Sequence, residues 1–172
     1  YWRDWSSDVC SSDLADLSTA SMQVEFPTDF VLRDAQVSLD ITHPFAADLS
    51  AALIAPDGTR VQLFNTGLAG ANLTRTSFSS SATTPIRNGN APYTGTFQPV
   101  GSLASLNGRR SRGIWTLEVR DNVNGDVGTL NSFGLQLTDA SGVSTGRILG
   151  TSRIMSSALR IDAEGDVGNN TV

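Results

Sequence analysis

Three sets of residues in this 172-residue chain have the chemistry to act on another molecule. The first is His43, the only histidine. A Ser-His-Asp triad needs one imidazole between a carboxylate and a serine, and Ser and Asp are plentiful here. However, no G-x-S-x-G nucleophile elbow marks out one serine. His43 ends an alternating run just before Pro44, so a hydrogen-bonded structural role is expected and catalysis is not. The second set is Asp121-Asn122-Val123-Asn124-Gly125-Asp126, which packs oxygen-bearing side chains and a Gly into one short loop. Calcium takes about six to eight oxygen ligands, and Gly lets a backbone curl around it. With Asp48 contributed from another loop, the candidate metal ligands are Asp48, Asp121 and Asp126, and the metal expected is calcium. The loop is not an EF-hand, because its spacing differs and no Glu closes it. The competing reading is that Asp121 and Asp126 cap a hairpin through Asx-turns. The third set is Arg109, Arg110 and Arg112, on a segment with Gly and Ser that reads as a solvated loop.

Composition narrows the classes further. The formal net charge is −5, and no Arg cluster resembles a nucleic-acid footprint, so no nucleic-acid partner is expected. One His and one Cys make zinc a poor candidate. All 12 basic residues are Arg, which reads as coding bias rather than a binding surface. Charged residues reach only 17%, against about 25% in average domains. Ser, Thr, Gly and Asn fill the difference, which suits short strands joined by polar turns. No apolar run approaches the ~20 residues of a membrane span.

Tyr1 to Leu14, YWRDWSSDVCSSDL, shows neither helical nor strand periodicity and no apolar signal core. Back-translated, Asp4 to Leu14 reads as a common short-read sequencing adapter. Residues 1–14 are therefore expected to be an artefact and are set aside from fold reasoning, and Cys10 with them. The domain is expected over 15–140. Residues 141–172 read as a linker or the start of a further module.

Within 15–140 the pattern is strand and turn. Met22, Val24 and Phe26 alternate with polar residues, and so do Val37, Leu39 and Ile41. Leu49–Ala55 and Thr59–Asn65 flank Pro56-Asp57-Gly58, a turn in which Pro presets φ and Gly tolerates positive φ. A hairpin follows. Residues 66–112 are rich in Gly, Ser, Thr, Asn and Pro, with Phe78, Tyr93 and Phe97 as apolar anchors. Short strands are expected near Thr76–Ser79 and Thr94–Gln98. Ile114–Asp121 alternates most clearly and turns Trp115, Leu117 and Val119 inward. Leu130–Leu137 gives a last strand with Phe133, Leu135 and Leu137 inward. The fold class predicted is all-β, an antiparallel β-sandwich or jelly roll.

These elements carry a recognisable order of motifs. Asp40-Ile41-Thr42-His43, Asp48-Leu49 and Leu53-Ile54-Ala55-Pro56-Asp57-Gly58-Thr59 resemble the P domain, or P/Homo B domain, of kexin- and furin-like subtilases and bacterial secreted proteases. Gly113-Ile114-Trp115-Thr116-Leu117-Glu118-Val119, Asp121 and Gly125-Asp126-Val127-Gly128-Thr129-Leu130-Asn131-Ser132-Phe133 continue the match. Ala91–Pro99 is similar to the bacterial form. Phe133 stands where the family usually has Trp.

The resemblance implies a jelly roll of the galactose-binding-like type, with Trp115 and Phe133 in the core. It implies a non-catalytic domain supporting the folding, stability or regulation of an adjacent subtilisin-like serine protease domain in the same parent chain. A secreted or cell-surface location goes with that. The alternative is a stand-alone carbohydrate-binding or adhesion module of a surface protein.

Overall fold

The alternation of the sequence becomes two stacked sheets in the computed structural model, which describes residues 12–141 and Ser144–Thr151. Cys10, the rest of 1–11 and the remainder of the C-terminal segment lie outside the described residues. One sheet orders β2 (Thr19–Phe26), β8 (Gly113–Asp121), β4 (Leu49–Ile54) and β5 (Arg60–Phe64). The other orders β1 (Ser12–Leu14), β9 (Gly128–Asp139), β3 (Leu32–Thr42), β6 (Leu73–Ser79) and β7 (Gly95–Phe97). A tenth strand, β10 (Ser144–Thr151), also pairs with β9. The chain is an all-β sandwich.

Period-2 alternation sends one side of each strand into the space between the sheets. Trp115, Leu117 and Val119 on β8 face Val37, Leu39 and Ile41 of β3 and Phe133, Leu135 and Leu137 of β9 within one core, all nearly inaccessible to water. Burying one such side chain stabilises the fold by about 1.5–3 kcal/mol. The Trp115 indole N–H donates to the Ser111 carbonyl at 2.9 Å, so its polar atom is not stranded in the core.

The β4–β5 hairpin forms as its turn residues require. The Gly58 N–H donates to the Ala55 carbonyl at 2.9 Å, and Ala55 N–H to the Thr59 carbonyl at 2.8 Å. Gly58 takes φ +84°, which Gly tolerates without steric cost.

The structure adds three features that the sequence pattern did not carry. First, β7 runs parallel to β6, whereas the other strand pairs described are antiparallel. The excursion from Ser79 through the 3-10 turn Ile86–Asn88 carries the chain back before it pairs. Second, β9 holds a bulge. Leu39 lies opposite Phe133 and Ile41 opposite Leu130, which leaves Asn131 as the extra residue. Its amide donates to Asp40 Oδ1 and Thr42 Oγ1, at 3.1 and 2.8 Å. Third, strands outside 15–140 join the sheet. Ser12 pairs opposite Leu130 and Leu14 opposite Gly128, and Leu14 is fully buried. The sandwich therefore takes in Ser12–Leu14 as well as residues from 15 onward. Downstream, Ser144–Thr151, expected as linker or new module, lies along the same edge of β9 as β1.

Candidate functional site

The sequence-predicted residues meet at one end of the sandwich. There β3 ends, β4 begins, β8 ends and β9 begins. His43 follows the last residue of β3, and Asp121 closes β8. Both side chains are fully buried, with His43 Nε2 3.2 Å from Asp121 Oδ2. The other Asp121 oxygen accepts the Val123 N–H at 3.1 Å, an Asx-turn. Backbone on both sides holds the histidine. Its N–H donates to Asn72 Oδ1 and its carbonyl accepts the Asn72 N–H, each at 2.9 Å.

The second ring nitrogen is also engaged. Nδ1 lies 2.9 Å from the Phe45 carbonyl and 3.2 Å from the Phe45 N–H. With Nε2–H donating to Asp121, a neutral ring accepts the Phe45 N–H at Nδ1. A doubly protonated ring instead donates Nδ1–H to the Phe45 carbonyl. In either state neither nitrogen meets a serine hydroxyl among the described residues, which a triad base requires. Gly128 packs against this ring so closely that a Cβ there would sit 2.5 Å from His43 Cδ2 and from the Thr42 carbonyl oxygen.

The three candidate calcium ligands are not gathered into one cage. Asp121 is turned inward, with both oxygens hydrogen-bonded. Asp48 ends the 3-10 turn Ala46–Asp48, and its carbonyl accepts the Asn122 backbone N–H and Nδ2, both at 2.9 Å. Asp126 is half-buried in the loop before β9. Among the described residues, no group of three or more His, Cys, Asp or Glu side chains is placed to hold a metal ion. The most buried carboxylate of the set, Asp121, serves the fold through both of its oxygens. The Asx-turn reading holds at Asp121.

Arg109 is half-buried and Arg110 is exposed. Arg109 pairs with Asp57, and Arg110 with Asp29 at 3.5 Å. Sequence reasoning missed Asn72, whose φ of +62° turns the backbone toward His43. A lone Asn before a strand gives no signal for that role beyond its tolerance of left-handed backbone.

Comparison with known proteins adds the family. The proprotein convertase P-domain family matches residues 32–137. That span begins at β3 and ends in β9, and it contains both His43 and Asp121. Among solved structures, a serine protease of Aeromonas sobria is similar at 19% identity with a TM-score of 0.44, over 84% of this chain. The complex of the Aeromonas sobria serine protease with a chaperone is similar at 18% identity and the same TM-score, over 85% of this chain. In both cases the match takes in 22% of the protease chain, so the present chain spans about a fifth of those proteins. Comparison with curated proteins gives no match. With more than half of its residues matched in order, the chain belongs to the proprotein convertase P-domain family.

Proposed function

We propose that this domain supports the folding and stability of a subtilisin-like serine protease domain in the same polypeptide, and performs no catalysis itself. Membership of the P-domain family carries the reading. The chemistry of the histidine agrees with it. The one imidazole of the chain is fully buried and hydrogen-bonded at both nitrogens, so it is a structural group. The partner is then the neighbouring catalytic domain, and the setting is the secreted or cell-surface location typical of such proteases. No helix among the described residues is long and apolar enough to cross a membrane.

The test is to produce the adjacent catalytic domain with and without residues 12–151 in cis. Active, soluble protease should fall by about tenfold or more without the domain, as kinetic and thermal stability are lost. Equal yield and equal thermal midpoints would overturn the reading. So would peptide hydrolysis by the P domain alone.

A further inference from the structure

A cleft of about 560 Å³ is lined in part by the segments that follow the edge strands β5 and β7. That size falls within the roughly 300–1,000 Å³ of small-ligand sites. Leu68, Ile86 and Leu103 are buried beneath it, and Val100 stands 54% exposed on its rim. Hydrogen bonds fix its walls. Val100 and Gly101 donate to the Leu63 and Gln62 carbonyls at 3.0 and 2.7 Å. Ile86 donates to the Gln98 carbonyl, and Gln98 to the Thr84 carbonyl, at 3.0 and 2.7 Å. Gly101 admits no side chain, since a Cβ would lie 2.9 Å from the Gln62 backbone nitrogen and oxygen. The cleft is therefore preformed, which lowers the ordering cost of binding.

Its charge is opposite to that of the protein. Among the described residues, the lining carries one charged side chain, Arg87, with no Asp, Glu or His and no aromatic ring, in a chain of formal net charge −5. Arg87 is exposed on the 3-10 turn Ile86–Asn88, and among the described residues no hydrogen bond or ion pair engages it. The Asn65 and Gln98 amides are likewise free of protein partners among the described residues. Ser80 is turned away and donates to Asp34 at 2.7 Å.

We propose that this cleft binds a short peptide bearing a carboxylate. The carboxylate sits on the Arg87 guanidinium, whose planar fork matches it in a bidentate pair. The peptide amides meet Asn65 and Gln98, which each donate and accept. An apolar side chain packs against Val100 on the rim. A pyranose would find no aromatic face to stack on here, so a peptide is the better occupant. The carboxylate comes from a peptide C-terminus or from an Asp side chain. The proposal is independent of the protease partnership above.

The experiment is calorimetric titration of the full chain with three probes. They are acetyl-Ala-Leu-Ala with a free C-terminus, its C-terminal amide, and the amide of acetyl-Leu-Asp-Ala. Binding of the first but not the second assigns the site to chain ends. Binding of the third assigns it to Asp side chains. Either supports the proposal if Arg87→Gln weakens it at least about tenfold and Arg120→Gln, on β8 outside the cleft lining, does not. Ser102→Trp, which fills the cleft and leaves Arg87 in place, should weaken binding equally. The thermal midpoint of each variant checks that it folds. The proposal is overturned if no probe binds at millimolar concentration, if binding survives Arg87→Gln, or if galacturonate binds more tightly than every peptide.

Discussion

The end of the sandwich that holds His43 and the cleft that holds Arg87 use the same kinds of residue to opposite ends. At the His43 end every polar atom of the central pair has a protein partner. The imidazole meets Asp121 and Phe45, and Asp121 also meets Val123. In the cleft the guanidinium and the Asn65 and Gln98 amides have none among the described residues. A buried polar group without a partner is expensive, so burial forces satisfaction and fixes one geometry. An exposed one is satisfied by water and can exchange that water for a ligand at little cost. Chemical residue type therefore does not separate a structural site from a binding site. Partnering does.

The largest effect should come from breaking the buried pair one side at a time. His43→Leu leaves the Asp121 carboxylate buried with only the Val123 N–H, and should cost about 3–5 kcal/mol in urea unfolding. Adding Asp121→Leu removes the stranded charge, so the double variant should be more stable than His43→Leu alone. If the two losses simply add, the pair is not coupled and the contrast between the two regions collapses. A smaller effect is expected from Gly128→Ala. Its Cβ must displace the imidazole edge and the Thr42 carbonyl, and backbone cannot yield easily. A loss of about 1–3 kcal/mol is expected, read from the denaturation midpoint. An unchanged midpoint would mean that the His43 end is loosely packed.

How much of this was legible in the sequence depends on distance along the chain. The inward face of β8 was, because Trp115, Leu117 and Val119 alternate within five residues and alternation reports the buried side directly. The β4–β5 hairpin was, because Pro56-Asp57-Gly58 carries its own turn chemistry. The structural role of His43 was inferred from its place at a strand end, but its partner was not. Asp121 lies 78 residues away, and periodicity says which face is buried without saying what meets it. For the same reason the sequence did not tell that Asp121 turns inward. A carboxylate in an Asn- and Gly-rich loop looks solvent-facing until a buried imidazole is placed beside it. The Asn131 bulge and the parallel β7 depend on register, which single-strand patterns do not encode. The cleft is assembled from four separate loop and turn segments, and none of them carries a motif.

Asp57 supplies the smallest test, from the exposed side of the comparison. It sits in the β4–β5 turn, where the Thr59 hydroxyl and then the Thr59 N–H hold its carboxyl below the ordinary value of 3.8. Arg109 adds an ion pair, but the two side chains are 45% and 40% exposed, so solvent screens most of the attraction. A carboxyl with a lowered folded pKa stabilises the fold fully above the unfolded value of 3.8, and the contribution is lost as pH falls through the folded pKa. Asp57→Asn keeps an oxygen for the Thr59 N–H but removes the charge. Its thermal midpoint should fall slightly below that of the parent chain at pH near 6, and the gap should close by about pH 2. The measurement is a series of melting curves across that range. A gap that stays constant to low pH would assign the Asp57 contribution to turn geometry alone. A gap as large as that of His43→Leu would mean that an exposed, screened pair rivals a buried one, and the distinction between the two regions would fail.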